Sequence, residues 1–424
     1  MSAEPVFALD VPGLEKSLEA HEEPEALRAM RRQAREVLAG MALPDRARHL
    51  WRYTDPRLFV PALDAPGAAP ADSPAGPAPE GPRSAAVVIA DGAPHLLELG
   101  EGARRAGVVV ADLQAAGVEG LLGSAVPASH GFVEALNAAA WRGGVLVRVP
   151  AGVSLEAPVL VRVIAGRAGS VSVPRVLVVA GEGSSFEVVE SHVRGDGAST
   201  RVLSVTEVLV ADGARVRYGL VQRWREGVVG HLTVRARLAR GAAAQLSLAS
   251  FGGAVVKADI GARLEGEGAE VETYGVAMGG NRQHLDHHTE HLHAAPHTRS
   301  NLDFKVALTQ AARSAYTGMI RIAEGAGASE AYQENRNLLL SEHARAESIP
   351  ELEILTDDVR CSHGATVAPL DPEQLFYLLS RGLPPGQAQR LIVYGFLDQT
   401  LQRLPETTRQ RIEALVAERL HEEH

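Results

Sequence analysis

A mainly β solenoid with helical regions at both ends is the fold class this sequence predicts, and three observations carry it. From about residue 143, short β-rich runs follow one another with little helical periodicity between them, among them GVLVRVP, APVLVRVIAG, TRVLSVTEVLV and HLTVRARLARG. A turn motif recurs through them at Gly183-Ser184, Gly213-Ala214, Gly241-Ala242, Gly268-Ala269, His297-Thr298 and Gly327-Ala328, spaced 30, 28, 27, 29 and 30 residues. Strands repeating at that period are the signature of stacked coils, none of which can bury its inner face alone. A β-sandwich would place turns every 8–12 residues or so. The third observation is helical spacing at both termini.

Residues 1–60 read as an N-terminal helical region. Pro24 opens PEALRAMRRQAREVLAG, where Leu27, Met30, Ala34, Val37 and Leu38 recur at helical spacing and Gly40 stops the run. A shorter helix is expected after Pro44, ending near RHLWRYTD. Residues 61–82 hold seven prolines among alanines and glycines and read as a linker. Residues 83–142 are a mixed connecting segment, with strands at SAAVVIA and GVVVADL and a helix at HGFVEALNAAAW. The β-helix core spans 143–368. The C-terminal helical domain is 369–424: Asp371 and Pro372 start one helix that Gly382 ends, and two more follow at 386–404 and 408–420. The last carries Ile412, Leu415, Val416 and Leu420 on one stripe. Packing within the chain is the ordinary fate of such a stripe, and a partner-binding face is the sharper reading.

Composition narrows the function. Net charge is −10 and aromatics are 4%, against both a basic nucleic-acid face and a set of stacking platforms. A single cysteine fits a reducing compartment. The first residues, MSAEPVFALD, lack a basic-then-apolar signal, and no run of 18 apolar residues occurs, so a cytoplasmic protein without a membrane span is expected. None of the three lysines, Lys16, Lys257 and Lys305, follows a glycine, so there is no P-loop.

Two stretches carry candidate chemistry. HLDHHTEHLH (284–293) holds His284, His287, His288, His291 and His293, with His297 nearby. Imidazoles bind transition metals, and on a strand His287, His291 and His293 share a side. The plain alternative is a polar outer face or lateral surface. DDVRCSHGAT (357–366) sets Cys361 two residues before His363. Neighbours i and i+2 on a strand lie parallel rather than converging, so a nucleophilic pair is weakly supported. Iron–sulfur clusters typically take four thiolates, so a chain with one must share ligands with another chain. The ordinary role of Cys361 is that of a small buried apolar residue.

The run AYQENRNLLLSEHARAESIPELEILTDDVRCSHGATVAPLDPEQLFYLLSRGL (331–383) resembles the signature region of the SufB/SufD family of iron–sulfur cluster assembly proteins. NRQHLDHHTEHLHAAPHTRSN (281–301), IVYGFL (392–397) and LWRYTD (50–55) are similar to the same family. Within it, Arg336 stands where SufB has a cysteine, CSHGA stands where SufB has an acidic EHEA-type motif, and His363 matches a histidine of the SufD branch. The resemblance implies a right-handed parallel β-helix and a non-enzymatic scaffold. It implies pairing with a SufB-like paralogue through the β-helix, and docking of a SufC-like ATPase on the C-terminal helices at Phe376, Tyr377, Arg381, Gly382, Tyr394, Gly395 and Phe396. It also implies that His363, with Cys361 beside it, lies at the shared interface, where iron or a nascent cluster is held transiently and no cofactor is bound tightly. A homodimer of the isolated chain is a further expectation. Other classes remain: a β-solenoid enzyme acting on carbohydrate, or a lone metal-binding protein using 284–297.

Overall fold

The computed structural model describes residues 11, 14, 23–47, 49–61, 78–90, 93–141, 143–165, 171–194, 200–224 and 226–422. Most of the Pro-rich stretch 61–82 lies outside them. The chain winds into two facing sheets of mainly parallel strands, alternating between them at every half coil. The first sheet stacks Ala85–Ala90, Val159–Ala165, Ser185–Arg194, Arg215–Arg223, Ala243–Ser250, Glu270–Gly279, Arg299–Leu308, Ser329–Leu339 and Val359–Pro369. The second stacks Gly144–Val149, Arg175–Ala180, Arg201–Val210, Val229–Leu238, Val255–Leu264, His284–His293, Arg313–Ile322 and Arg345–Ile354. At the N-terminal end antiparallel strands, Ala93–Leu99 and Val109–Asp112, close the two sheets. The expected solenoid is therefore present, and segment 83–142 contributes strands to both of its sheets.

The repeated turn is a hydrogen-bond ladder. Gly183, Gly213, Gly241, Gly268, His297 and Ala328 all have φ between 55° and 70°. Each donates its N–H to a carbonyl of the next coil's turn: Asp212, Arg240, Glu267, Pro296, Gly327 and Asp358, at 2.7–3.3 Å. Left-handed backbone is cheap for glycine, and in the last turn it falls on Ala328 rather than Gly327. The residue after each of the first five corners is buried, which explains why it is small or hydroxylated (Ser184, Ala214, Ala242, Ala269, Thr298).

Inside, valine, leucine and alanine from both sheets form one continuous core. The histidine stretch overturns the outer-surface reading. On strand His284–His293, the side chains of Leu285, His287, Thr289, His291 and His293 are buried, in register with Ser314, Tyr316, Gly318, Ile320 and Ile322 of the next coil. Hydroxyls meet the imidazoles: Ser250 for His287 (3.2 Å), Thr273 for His291 (2.8 Å), and Thr298 and Ser300 for His293 (2.8 and 2.9 Å). A hydroxyl partner lowers the cost of burying a neutral imidazole; both ring nitrogens of His293 are bonded, whereas Nδ1 of His287 and His291 has no partner among the described residues.

Helices cover both outer faces. α1 (Glu25–Ala39) runs as expected, burying Leu27, Ala34 and Leu38. Its Arg31 is also buried, bonded to Glu23 at 2.8 Å and stacked 4.1 Å over Trp141. The helix expected after Pro44 is instead two 3-10 turns, His49–Trp51 and Pro56–Phe59. Tertiary packing sets this segment: Trp51 and Phe59 pack around His231 on the second sheet. α2 (Glu101–Arg105) is a short connector, and α3 (Phe132–Ala140) lies beside α1 on that sheet. α4 (Pro372–Ser380) is capped by Asp371, which accepts from Glu373 N at 2.9 Å.

α5 (Pro385–Leu401) and α6 (Glu406–Glu422) lie on the first sheet. Val393, Leu397, Ile412, Val416 and Leu420 pack on Leu160, Val189, Tyr274 and Met278. The α6 stripe is thus an internal packing surface, and the partner-face reading of it is corrected: the helices lie along the solenoid, where a broad sheet face is available to bury. Among the described residues no helix is long and apolar enough to cross a membrane.

The buried histidines make stability pH-dependent. Burial lowers His287 to about 4, His291 to about 3 and His293 to about 4. Unfolded, each takes a proton near pH 6.5. Between those values the unfolded state binds more protons, so stability falls as pH falls, by up to ~1.4 kcal/mol per histidine per unit. His130, whose pKa is raised, opposes this with one group. Urea midpoints measured from pH 7 to pH 5 are expected to drop steadily, and His291→Gln is expected to flatten the slope. A flat profile contradicts the assignment.

Candidate functional site

The last coil has a neighbour on one side only. Its strands, Arg345–Ile354 and Val359–Pro369, end the two sheets. On the strand below, Ser329, Ala331, Gln333, Asn335 and Asn337 are buried and face the interior. Their in-register partners on the last coil are Val359, Cys361, His363, Ala365 and Val367. Equal register in parallel strands puts these on the same face, with no further coil above. Val367 is 43% exposed and Leu355 52% exposed. An apolar face and two unpaired strand edges together make a surface that invites a partner.

Cys361 is half-buried in this end, packed near Ile320, Ile322, Ala331 and Leu352. Burial pushes its thiol pKa up, so it is held protonated and is not an activated thiolate. His363 is exposed, directly above Gln333. Beneath them lies a polar layer that sequence reasoning missed. Gln333 donates to Gly318 O (3.2 Å), Asn337 to Asn335 Oδ1 (2.7 Å), and Ser348 to the same oxygen (2.7 Å). The alternation in QENRN (333–337) was its signal, but polar residues at period two read equally well as an outer face. Arg336 points outward, paired with Glu334 at 2.6 Å. Asp358 acts through its backbone carbonyl in the turn ladder, bonding Ala328 N at 2.7 Å.

The outer face of the first sheet carries an alternating row, Glu270, Arg299, Glu330, Arg360, one residue per coil. Arg360 and Arg299 lie 3.3 and 3.7 Å from Glu330. The outward side of the second sheet's edge strand is acidic instead, with Glu347, Glu351 and Glu353. Pro350 sits between them, a residue tolerated on an edge strand.

A second exposed surface is the α4–α5 face. α4 has no buried residue: Phe376 is 71% and Tyr377 56% exposed, with the Arg381 guanidinium 5.0 Å over the Tyr377 ring. Gly382 has φ 87°, which ends the helix. Tyr394 is exposed, and Gly395 has open space above its Cα. Phe396 departs from the expected set. It is half-buried and turned toward the first sheet, 5.5 Å from Lys305 Nζ. The histidine stretch 284–297 gathers no metal-ligand group among the described residues. The one group there with such spacing is His130, Glu134 and Asp259, which the sequence did not single out.

Comparison with known proteins places the chain in a family. A family model described as "SUF system FeS cluster assembly, SufBD core domain" matches residues 163–396, more than half of the chain. The iron-sulfur cluster assembly protein SufB of Bacillus subtilis (strain 168) is 29% identical over 281 residues, covering 66% of this chain and 60% of the relative. SufD of the same organism is 32% identical over 273 residues, covering 64% and 62%. A SufBD family protein of Mycobacterium leprae (strain TN) is 30% identical over 295 residues, covering 69% and 32%. The chain thus spans less than two thirds of each of these relatives' lengths. SufB and SufD match almost equally, which shows the family without separating its two branches. The chain belongs to the SufBD family of the SUF system for FeS cluster assembly.

Proposed function

We propose that this chain is a SufD-type scaffold subunit for iron–sulfur cluster assembly, cytoplasmic and without catalytic activity of its own. The observation that carries the reading is the uncovered last coil, which presents His363 on the solenoid's inward face beside an apolar rim. In this reading a SufB-like paralogue covers that end, and His363 holds iron or a nascent cluster between the two chains. The cluster is cargo. Cys361 offers a protonated thiol and packs the end, so the partner supplies the thiolates.

Charge favours a different partner over a second copy of this chain. Two copies meeting antiparallel through strand Arg345–Ile354 set the acidic side of one strand, with Glu347 on it, against that of the other, and like charges across a strand pair destabilise it, although Glu353 is already paired with Arg321 at 2.8 Å. A paralogue with basic residues there relieves this. A SufC-like ATPase engages the α4–α5 face through Phe376, Tyr377 and Tyr394. Its ATP-driven motion opens the paired end and exposes His363.

Two outcomes test this. In a complex purified with a SufB-like paralogue and the ATPase, His363→Ala is expected to cut iron and sulfide content severalfold while the subunits still co-elute. Unchanged loading removes His363 from the mechanism. Phe376→Ala combined with Tyr394→Ala is expected to weaken binding of the ATPase subunit by at least about 30-fold, the effect of losing a buried aromatic anchor. Equal affinity by calorimetry moves the docking site elsewhere.

A further inference from the structure

We propose that His130, Glu134 and Asp259 bind one divalent first-row transition cation, Zn2+ or Fe2+, that clamps the α3 layer to the second sheet. The three residues come from two layers. His130 ends the 3-10 turn Ala128–His130, Glu134 lies in the first turn of α3, and Asp259 stands on the outer face of strand Val255–Leu264. One ligand atom from each lies within 4.8 Å of the other two. Ligand atoms about 2.1 Å from a tetrahedral ion are ~3.4 Å apart, so closing the group around an ion needs only small side-chain shifts.

The surroundings suit a cation. Imidazole with two carboxylates, and no thiolate, is a donor set for borderline divalent ions. His130 Nε2 lies 2.8 Å from Asp259 Oδ2, and an ion takes the place of the proton between them. The other oxygen, Oδ1, is held by His288 Nδ1 at 2.6 Å, and Thr233 Oγ1 donates to Glu134 Oε1 at 2.5 Å. Such outer partners fix a ligating carboxylate and sharpen its affinity. Arg235 bonds both oxygens of Asp259, Oδ1 at 2.6 Å and Oδ2 at 2.8 Å, and stands 3.3 Å from Glu290, so the ion displaces the guanidinium from Oδ2 toward Glu290. The two carboxylates outweigh that single guanidinium.

Room and access are built in. A Cβ on Gly131 would come within 2.5 Å of Glu134 Oε2, so a larger residue there would shift this carboxylate from its place beside His130. The His130 side chain is 25% exposed and borders a cleft of about 470 Å³, an entry path and a place for water as the fourth ligand.

The test uses the chelator-stripped full-length chain, with Co2+ as the optical probe and Zn2+ followed by calorimetry. One ion per chain is expected, with cobalt d–d bands, no thiolate charge-transfer band, and a raised Tm. His130→Ala, on an exposed turn, is expected to keep the circular dichroism spectrum and weaken binding by more than the roughly 10–100-fold typical of losing an outer partner. His363→Ala is expected to leave it unchanged. Absence of a bound ion, equal affinity in His130→Ala, or loss in His363→Ala alone each overturns the proposal.

Discussion

No coil of a solenoid can bury its own inner face, and everything distinctive in this chain follows from that. Each coil depends on the next for its hydrogen-bond partners and for the cover over its side chains. The dependence is strict because the strands are in register: an inward residue always meets an inward residue one coil away. At the N-terminal end, antiparallel strands and helices close the stack. At the other end no described residue does, so the constraint that builds the fold also leaves an uncovered inward face there. Core and interface are one structure seen at two places.

The two outer faces are held by a different kind of contact. Under the N-terminal layer, buried Glu207 accepts from the backbone of Gly123, Ala125 and Val126 at 2.8–3.1 Å and pairs with Arg175 at 2.8 Å. Arg175 in turn bonds Asn137 of α3 at 3.0 Å. Nearby, Lys257 bridges Leu50 O and Asp286 at 2.7 and 2.9 Å. On the first sheet, Thr400 of α5 donates to Asp303 at 2.7 Å, and Lys305 to Gln399 at 3.0 Å. Apolar burial supplies most of the attraction between layer and sheet, whereas buried ionic groups do little for net stability and serve better to fix a single docking position. Each layer is therefore keyed to particular coils.

The period of the repeat was legible in the sequence because a left-handed corner tolerates few residue types, and those recur visibly. The direction each strand faces was not. A period of two says that residues alternate, and the histidines of 284–293 satisfied it equally well on either side; only hydroxyls such as Ser250 and Thr273, on other strands, reveal them as interior. Helix stripes pose the same problem, since Ile412 and Val416 look alike whether they meet a partner or their own sheet. His363 and the α4–α5 surface were singled out through the resemblance to long family motifs, not through periodicity. The group of His130, Glu134 and Asp259 was beyond reach because its members meet only through strand register and the packing of α3.

The ladder of corners has a consequence for how such a chain can change length. Removing or adding one whole coil, about 30 residues, keeps the corner ladder continuous, though the helical layers keyed to particular coils must shift with it. Removing one residue from a strand turns its remaining side chains to the wrong face, placing arginines inside and valines outside. Length in this architecture is therefore quantised. A lineage can lengthen or shorten the stack in steps of one coil, each step adding about one strand spacing of some 4.8 Å.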